Sequence, residues 1–468
     1  MQQTQVLIEA TAVEELRGTF GGTLLQRDDA GYDVARTIFN GMIDRRPAVI
    51  ARCAGVADVI AAVRFAVDND LVIAVKGGGH AVPGYAVCED GLMIDLTPMK
   101  GIWVDPRRKV ARAQAGVTWG EFDRETQQFG LAVTGGRHPT TGIAGLTLGS
   151  GSGWLERKLG LTPDNLISAD LVTADGRFVT ASEDENPDLF WGIRGGGGNF
   201  GVATAFEYRL HEIGPIVLGG LMAFPREVAG ELTRVFRDLM DGAPDDLGAA
   251  LAFITAPPEP FVPEEARGKP AVGAVICWTG EMEEGQRLIK PLRDLGPVLD
   301  VVGPVPYAQG VQRLIEPGNP HGLNNYWKAD FIDELTDEAI DTLVDEVNKA
   351  ASPRTQLILE PLGGALARVD EDSMALGNRR AAFAYHCLAM WESPTEADVH
   401  VAWAKDLSRA MGRFSVPGIY LNYTSDQEDP EQVRSTYGSK YERLVALKDK
   451  YDPDNVFRLN PNIEPSGS

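Results

Sequence analysis

Residues 71–80 read LVIAVKGGGH, a short apolar run that passes directly into three consecutive glycines, with Lys76 before them and His80 after. An apolar run of this length without alternation reads as a strand buried on both faces. Glycine permits positive φ and lets backbone N–H groups approach a ligand closely. Three glycines after a strand therefore make an anion-binding nest suited to a pyrophosphate, with Lys76 as its charge partner. His80 closes the nest and is placed to point at the bound group. A lone loop histidine is ordinarily a solvated one, and its place at the end of this nest argues otherwise.

Working outward, PAVIARC (47–53) is a second strand, and Val59, Ile60, Val63, Ala66 and Val67 recur at helical spacing, so 47–75 reads strand, helix, strand. Thr118-x-x-Glu121 is a capping box that opens a helix, and Gly130 stops it. Asp175-Gly176, between ISADLVTA and RFVTAS, predicts a hairpin with a two-residue loop. Residues 202–210, VATAFEYRL, form a strand. Of 52 glycines, 24 lie between 76 and 201, a density that points to a large phosphate-bearing cofactor wrapped by backbone. A second glycine run, 135–154, is interleaved with Ile143, Leu146 and Leu148, apolar anchors that a flexible linker lacks.

Several classes drop out. Residues 196–201, GGGNFG, match G-x-G-x-x-G, but they open a strand where the dinucleotide fingerprint must open a helix. Walker A, H-E-x-x-H and G-x-S-x-G patterns are missing, and no metal site is predicted. The 468 residues carry 44 lysines and arginines against 67 aspartates and glutamates, a net charge of −23 that disfavours nucleic acid and anionic bilayers as partners. Cys53, Cys88, Cys277 and Cys387 are too scattered for a zinc ribbon or a disulfide framework. With no basic-then-apolar leader and no apolar stretch of ~20 residues, the expectation is a soluble cytoplasmic enzyme.

Beyond about residue 212 the texture changes. Amphipathic helices near 226–240, 281–295 and 336–350 alternate with strands such as AVGAVICW, TQLILEPL and AAFAYHCLAMW. This reads as an antiparallel sheet carrying helices on one face, with 257–270 as a proline- and charge-rich loop inside it.

The segments VKGGGHAVPGY (75–85), AGVTWGEF (115–122), 135–154, GLTPDNLISADLVTADG (160–176), LFWGIRGGGGNFGVAT (189–204) and YDPDNVFRLNPNI (451–463) together resemble the berberine-bridge-enzyme-like FAD-linked oxidases. The likeness runs from about 45 to 465, and its pattern is nearest to the singly linked 6-hydroxy-D-nicotine oxidase branch. It implies an α+β, two-domain fold of the vanillyl-alcohol-oxidase/p-cresol-methylhydroxylase type. Residues 1–212, completed by 424–468, would bind FAD, and 213–423 would form an antiparallel-sheet substrate domain covered by helices. It further implies that His80 joins the flavin covalently. Where many members carry a second, cysteine linkage, this chain has His138, so a single bond is expected. Thr141 stands at the position thought to gate dioxygen and is nearly isosteric with the valine of oxidase members. Cofactor contacts are expected from Lys76, Gly77, Gly78, Gly79, Ala81, Gly136, Thr140, Gly142, Gly145 and Gly153, with Asn165, Val202, Tyr85 and Asn462 nearby.

Tyr420-x-Asn422 resembles the family's Y-x-N motif, which implies Tyr420 as the base and Asn422 facing the flavin. A tyrosine titrating near ~10 needs a nearby cation or strong hydrogen bonds to act so. Glu360 is the second catalytic candidate, and Tyr326, Lys328, Tyr385, His386 and Trp391 are further candidates for the pocket wall. The implied reaction removes a hydride from a CH–OH or CH–NH carbon of a sugar, glycoside, secondary alcohol or cyclic amine, with dioxygen reduced to hydrogen peroxide. The sequence does not choose among these substrates and leaves a homodimer open. A dehydrogenase using another electron acceptor and a non-catalytic flavin-binding module are the alternatives.

Overall fold

The computed structural model describes residues 10–260, 262–416, 421–425 and 430–467. Strand Val49–Arg52, helix Val56–Asp68 and strand Ile73–Lys76 follow one another as the apolar pattern predicts. The two strands are not neighbours, because Leu92–Asp95 lies between them and pairs in parallel with both. Thr23–Leu25 completes this four-stranded sheet on the far side of Val49–Arg52.

A five-stranded antiparallel sheet follows, ordered Ile102–Asp105, Val110–Gln114, Val202–Arg209, Leu166–Val172, Phe178–Ser182. The predicted capping box is present at Thr118 and Glu121, and Gly130 ends that helical segment in the left-handed region with φ 66°. The hairpin at Asp175-Gly176 differs from expectation. Thr173 and Arg177 close a three-residue loop, 174–176, with Gly176 at φ 71°. One extra residue in the left-handed region matches the twist of the strands as well as a two-residue loop does.

The third sheet is antiparallel and ordered Leu299–Asp300, Ile216–Pro225, Pro270–Trp278, Leu247–Thr255, Gln356–Pro361, Phe383–Trp391, Asn324–Ile332, with Gly303–Pro306 also paired to Ile216–Pro225. Its side chains alternate between two apolar environments. Leu247, Ala249, Leu251 and Phe253 pack under helices Ala229–Asp241, Asp337–Val347 and Ala397–Met411, in one core with Leu357, Leu359, Tyr385 and Cys387. Ala250, Ala252, Ile254, Ile358, Glu360, His386 and Leu388 face a cavity on the other side. The expected helix near 281–295 is two pieces, Met282–Leu288 and Lys290–Arg293. Pro291 has no N–H and its ring crowds the preceding turn, so the helix restarts there.

The C-terminal segment returns to the first core, where Leu444, Leu447, Phe457 and Ile463 pack with Phe190 and Phe200. A fully buried ammonium holds it. Lys448 Nζ lies 2.6 Å from Asp452 and donates to the backbone oxygens of Asn199 and Phe457, both at 3.0 Å. Asn199 accepts from the Ile463 N–H at 2.9 Å and donates to the Pro461 oxygen at 3.1 Å. The glycine loop before Val202–Arg209 is thus tied to the YDPDNVF segment, and removing either partner of the buried pair should cost roughly 3–5 kcal/mol. Cys53, Cys88, Cys277 and Cys387 are buried and unpaired. Among the described residues no helix is long and apolar enough to cross a membrane, and no cluster of ligating side chains could hold a metal ion.

Candidate active site

One continuous cavity of about 1100 Å³ lies between the glycine-rich loops and the open face of the large sheet. The loop wall carries Gly77, Gly78, Gly79, His80, Ala81, Tyr85, Gly136, His138, Thr141, Gly142, Gly145, Val202 and Asn422. These predicted residues, distant in sequence, are brought to one surface. Gly78 and Gly142 hold the two glycine runs together, since a Cβ on Gly78 would lie 2.2 Å from the Gly142 nitrogen and the reverse contact would be 2.3 Å. Gly145 and Gly198 also line the cavity, and a Cβ on either meets nothing within 4 Å. The cradle has room where side chains are missing, which fits a flat, extended dinucleotide held against backbone.

His80 stacks on Phe39, with centroids 4.5 Å apart and planes 20° from parallel. Burial, and then the neighbouring His138 and His321 rings, hold His80 well below its ordinary range, so its imidazole is neutral. Its Nε2 meets Thr140 Oγ1 at 2.7 Å and its Nδ1 lies 3.5 Å from Thr141 Oγ1.

Five expected contacts are placed elsewhere. Lys76 turns away from the nest, its Nζ donating to the Ala35 and Thr37 carbonyls at 2.8 and 2.7 Å, so it anchors that loop and does not serve as a charge partner for phosphate. Asn165 donates to the Leu159 and Leu161 carbonyls and meets His211 Nε2 at 2.7 Å, which makes it a loop tie. Gly153 packs on Gly135, where a Cβ would come within 2.0 Å of the carbonyl oxygen. Thr140 sits behind His80, and Asn462 follows the lining residue Pro461 without lining the cavity itself. Tyr420 lies outside the described residues.

Facing the cradle is a buried polar cluster. Arg137 lies 3.1 Å from Glu360 and 3.2 Å from Glu156, beneath the Trp154 ring at 4.9 Å. Glu360 Oε2 is 2.9 Å from His386 Nε2. Tyr423 packs on His386, centroids 4.1 Å apart, and its hydroxyl is 3.4 Å from Ser152 Oγ. Burial alone would raise Glu360, but Arg137 and His386 outweigh it and hold this carboxyl below its usual range. Burial pushes Glu156 up to about 7 against the pull of Arg137, and the charge on Glu360 adds to the rise. Burial and Glu360 also raise Tyr423, which keeps its phenol protonated. Of the wall candidates, only His386 faces the cavity. Tyr326, Tyr385 and Trp391 point to the helix-covered core, and Lys328 shares that strand face, because their strands alternate in the opposite phase. Sequence reasoning missed Arg137, Glu156, Trp327 and Tyr423. Tyr423 directly follows the Y-x-N motif and Arg137 sits inside the second glycine run, so position marked both.

Comparison with known proteins agrees. A model described as "FAD binding domain" matches residues 47–182, and one described as "Berberine and berberine like" matches 419–464. The chain is 34% identical over 460 residues to the (R)-6-hydroxynicotine oxidase of Paenarthrobacter nicotinovorans, spanning 96% of this chain and 97% of that protein. The chain belongs to the berberine-bridge-enzyme-like FAD-linked oxidases. The solved 6-hydroxy-D-nicotine oxidase from Arthrobacter nicotinovorans superposes with a TM-score of 0.85 at 31% identity, covering 96% of this chain and 98% of that one. The glucooligosaccharide oxidase of Sarocladium strictum is 29% identical over 487 residues, spanning 94% and 92%. This FAD-linked oxidase thus has the expected α+β fold and acts on a small molecule with dioxygen as acceptor. Bound in the cradle, FAD supplies the acceptor for two electrons that leave as hydrogen peroxide.

Proposed function

We propose that this FAD-linked oxidase oxidises the CH–NH carbon of a small, largely apolar cyclic amine, with FAD held by a single covalent link from His80. One observation carries the substrate class: Glu360, held by Arg137 with Glu156 behind that guanidinium, opens on a cavity face that also carries Ala223, Ala250, Ala252, Ile254, Val275 and Leu388. Glu360 thus presents a buried carboxylate to a cation, while the alanine- and branched-chain-lined part of the wall offers a sugar few partners for its hydroxyls. The relatedness to a hydroxynicotine oxidase supports the same class. For the single link, the support is that His80 lines the cavity and none of the four buried cysteines does.

In this reading Glu360 receives the substrate N–H and orients it. A carboxylate held below its usual range is a poor general base, so Glu360 positions the substrate, and Tyr420 keeps the role of base that the family motif implies. Tyr423, protonated, lines the site beside His386, and Trp327 and Leu388 add apolar surface that excludes water from it.

The test is peroxide release from matched panels of cyclic secondary amines, secondary alcohols and oligosaccharides. Turnover confined to amines is expected. Turnover of sugars with inert amines would overturn the substrate class and leave the oxidase standing.

A further inference from the structure

Three imidazoles converge on one hydroxyl. Thr140 Oγ1 lies 2.7 Å from His80 Nε2, 2.9 Å from His138 Nδ1 and 3.1 Å from His321 Nε2. A hydroxyl has one proton to donate and accepts two. One ring nitrogen must therefore take the Thr140 proton, and the other two must bring their own.

His138 decides the order. Its Nε2 is 3.1 Å from the Asn319 backbone oxygen, which only accepts, so Nε2 carries the hydrogen. Burial lowers His138 from its ordinary value, against the Asn319 carbonyl and the charge on Glu316, so the ring is neutral and Nδ1 is bare. Thr140 donates to that nitrogen. Thr140 Oγ1 then accepts from His321 Nε2 and from His80 Nε2. His80 is neutral as well, so its second nitrogen, Nδ1, carries a lone pair whose contact among the described residues is the long one of 3.5 Å to Thr141 Oγ1 on the cavity wall. Phe39 fixes the plane of the ring from behind.

We propose that Thr140 and His138 are positioning residues for flavin attachment: they hold His80 as the Nε2–H tautomer, present Nδ1 to the ring methyl group, and take up the proton that His80 must lose. This rests on the reading of His80 as the anchor. The balance closes. One C–H bond of the methyl group breaks and the carbon–Nδ1 bond forms. Two protons leave, one from the methyl carbon and one from Nε2, and the two electrons released are taken by dioxygen, giving hydrogen peroxide. The Nε2 proton moves to Thr140 Oγ1 as Thr140 passes its own proton to His138 Nδ1. His321 donates to the same oxygen and stabilises it, but lies outside the path.

The test follows covalent incorporation of added FAD into full-length protein, read as flavin absorbance in acid-precipitated pellets. Wild type and Thr140→Ser should attach FAD at similar rates. Thr140→Val and His138→Leu should attach it at least tenfold more slowly while still binding it non-covalently. His138→Gln, whose carbonyl accepts from Thr140 and whose amide donates to Asn319 but which cannot take up a proton, should keep the linkage on Nδ1 and still attach FAD slowly. A second measurement needs no variant: NMR of the flavin peptide from digested wild type should place the linkage on Nδ1. Linkage on Nε2, or attachment in Thr140→Val at the wild-type rate, would overturn the relay. Wild type that releases all its flavin into acid would overturn the anchor itself, and the relay with it.

Discussion

Glu360 and His386 meet diagonally across two neighbouring strands, Oε2 to Nε2 at 2.9 Å. The register sets Ile358 opposite His386 and Glu360 opposite Ala384, so both polar side chains fall on the cavity face. Diagonal partners on one face are within reach of long side chains. With Arg137 on its other side at 3.1 Å, Glu360 stays ionised while buried, which lets it hold a substrate N–H.

Glu360→Gln keeps the shape and removes the charge. We expect kcat/KM for an amine to fall by about 10²-fold or more, with the flavin-to-protein ratio unchanged. Steady-state peroxide release and the visible spectrum of the purified variant check this.

Glu156, pushed up to about 7, adds a pH dependence to binding. As pH rises from 6 to 8 it loses its proton, and the site beside Arg137 and Glu360 gains a negative charge. KM for a protonated amine should fall by roughly tenfold over that range, whereas a neutral alcohol should show no such trend. Glu156→Gln should flatten the amine profile.

Asp123 is buried between helix Trp119–Thr126 and the 311–313 turn, accepts from Gln312 Nε2 at 2.8 Å, and is raised by burial to about 7. Its folded value lies above the unfolded one. Its contribution to stability is therefore present below pH ~4 and lost as pH climbs through about 7, a change on the order of a few kcal/mol. Asp123→Asn should raise Tm more at pH 8 than at pH 5, as thermal unfolding at the two pH values would show.

Two glycine substitutions should separate folding from cofactor binding. Gly78→Ala drives a Cβ to 2.2 Å from the Gly142 nitrogen and should give little folded protein. Gly145→Leu grows into open space in the cradle, so the protein should fold, with a normal circular dichroism spectrum, and bind little FAD.

Much of the fold was legible because local chemistry decides it. The capping box at Thr118 and Glu121, the glycine at 130 and the apolar run before Lys76 each specify a structure without help from distant residues. The face that each large-sheet strand presents was not legible. AAFAYHCLAMW is apolar at nearly every position, so no alternation distinguishes His386, which faces the cavity, from Tyr385 and Trp391, which face the helices. Only its partners fix the phase. Lys76 misled for a related reason: its neighbours in sequence are nest glycines, while the carbonyls that hold it, Ala35 and Thr37, come from a separate loop. Arg137 and Glu156 gain their meaning from Glu360, over 200 residues away, through a contact that spacing cannot encode.

The most direct measurement is a peptide map of acid-precipitated wild-type protein by mass spectrometry. The account predicts a single flavin adduct, on the peptide containing His80, with the peptide containing His138 unmodified. Flavin recovered wholly in the acid supernatant, or an adduct on any other residue, would contradict it.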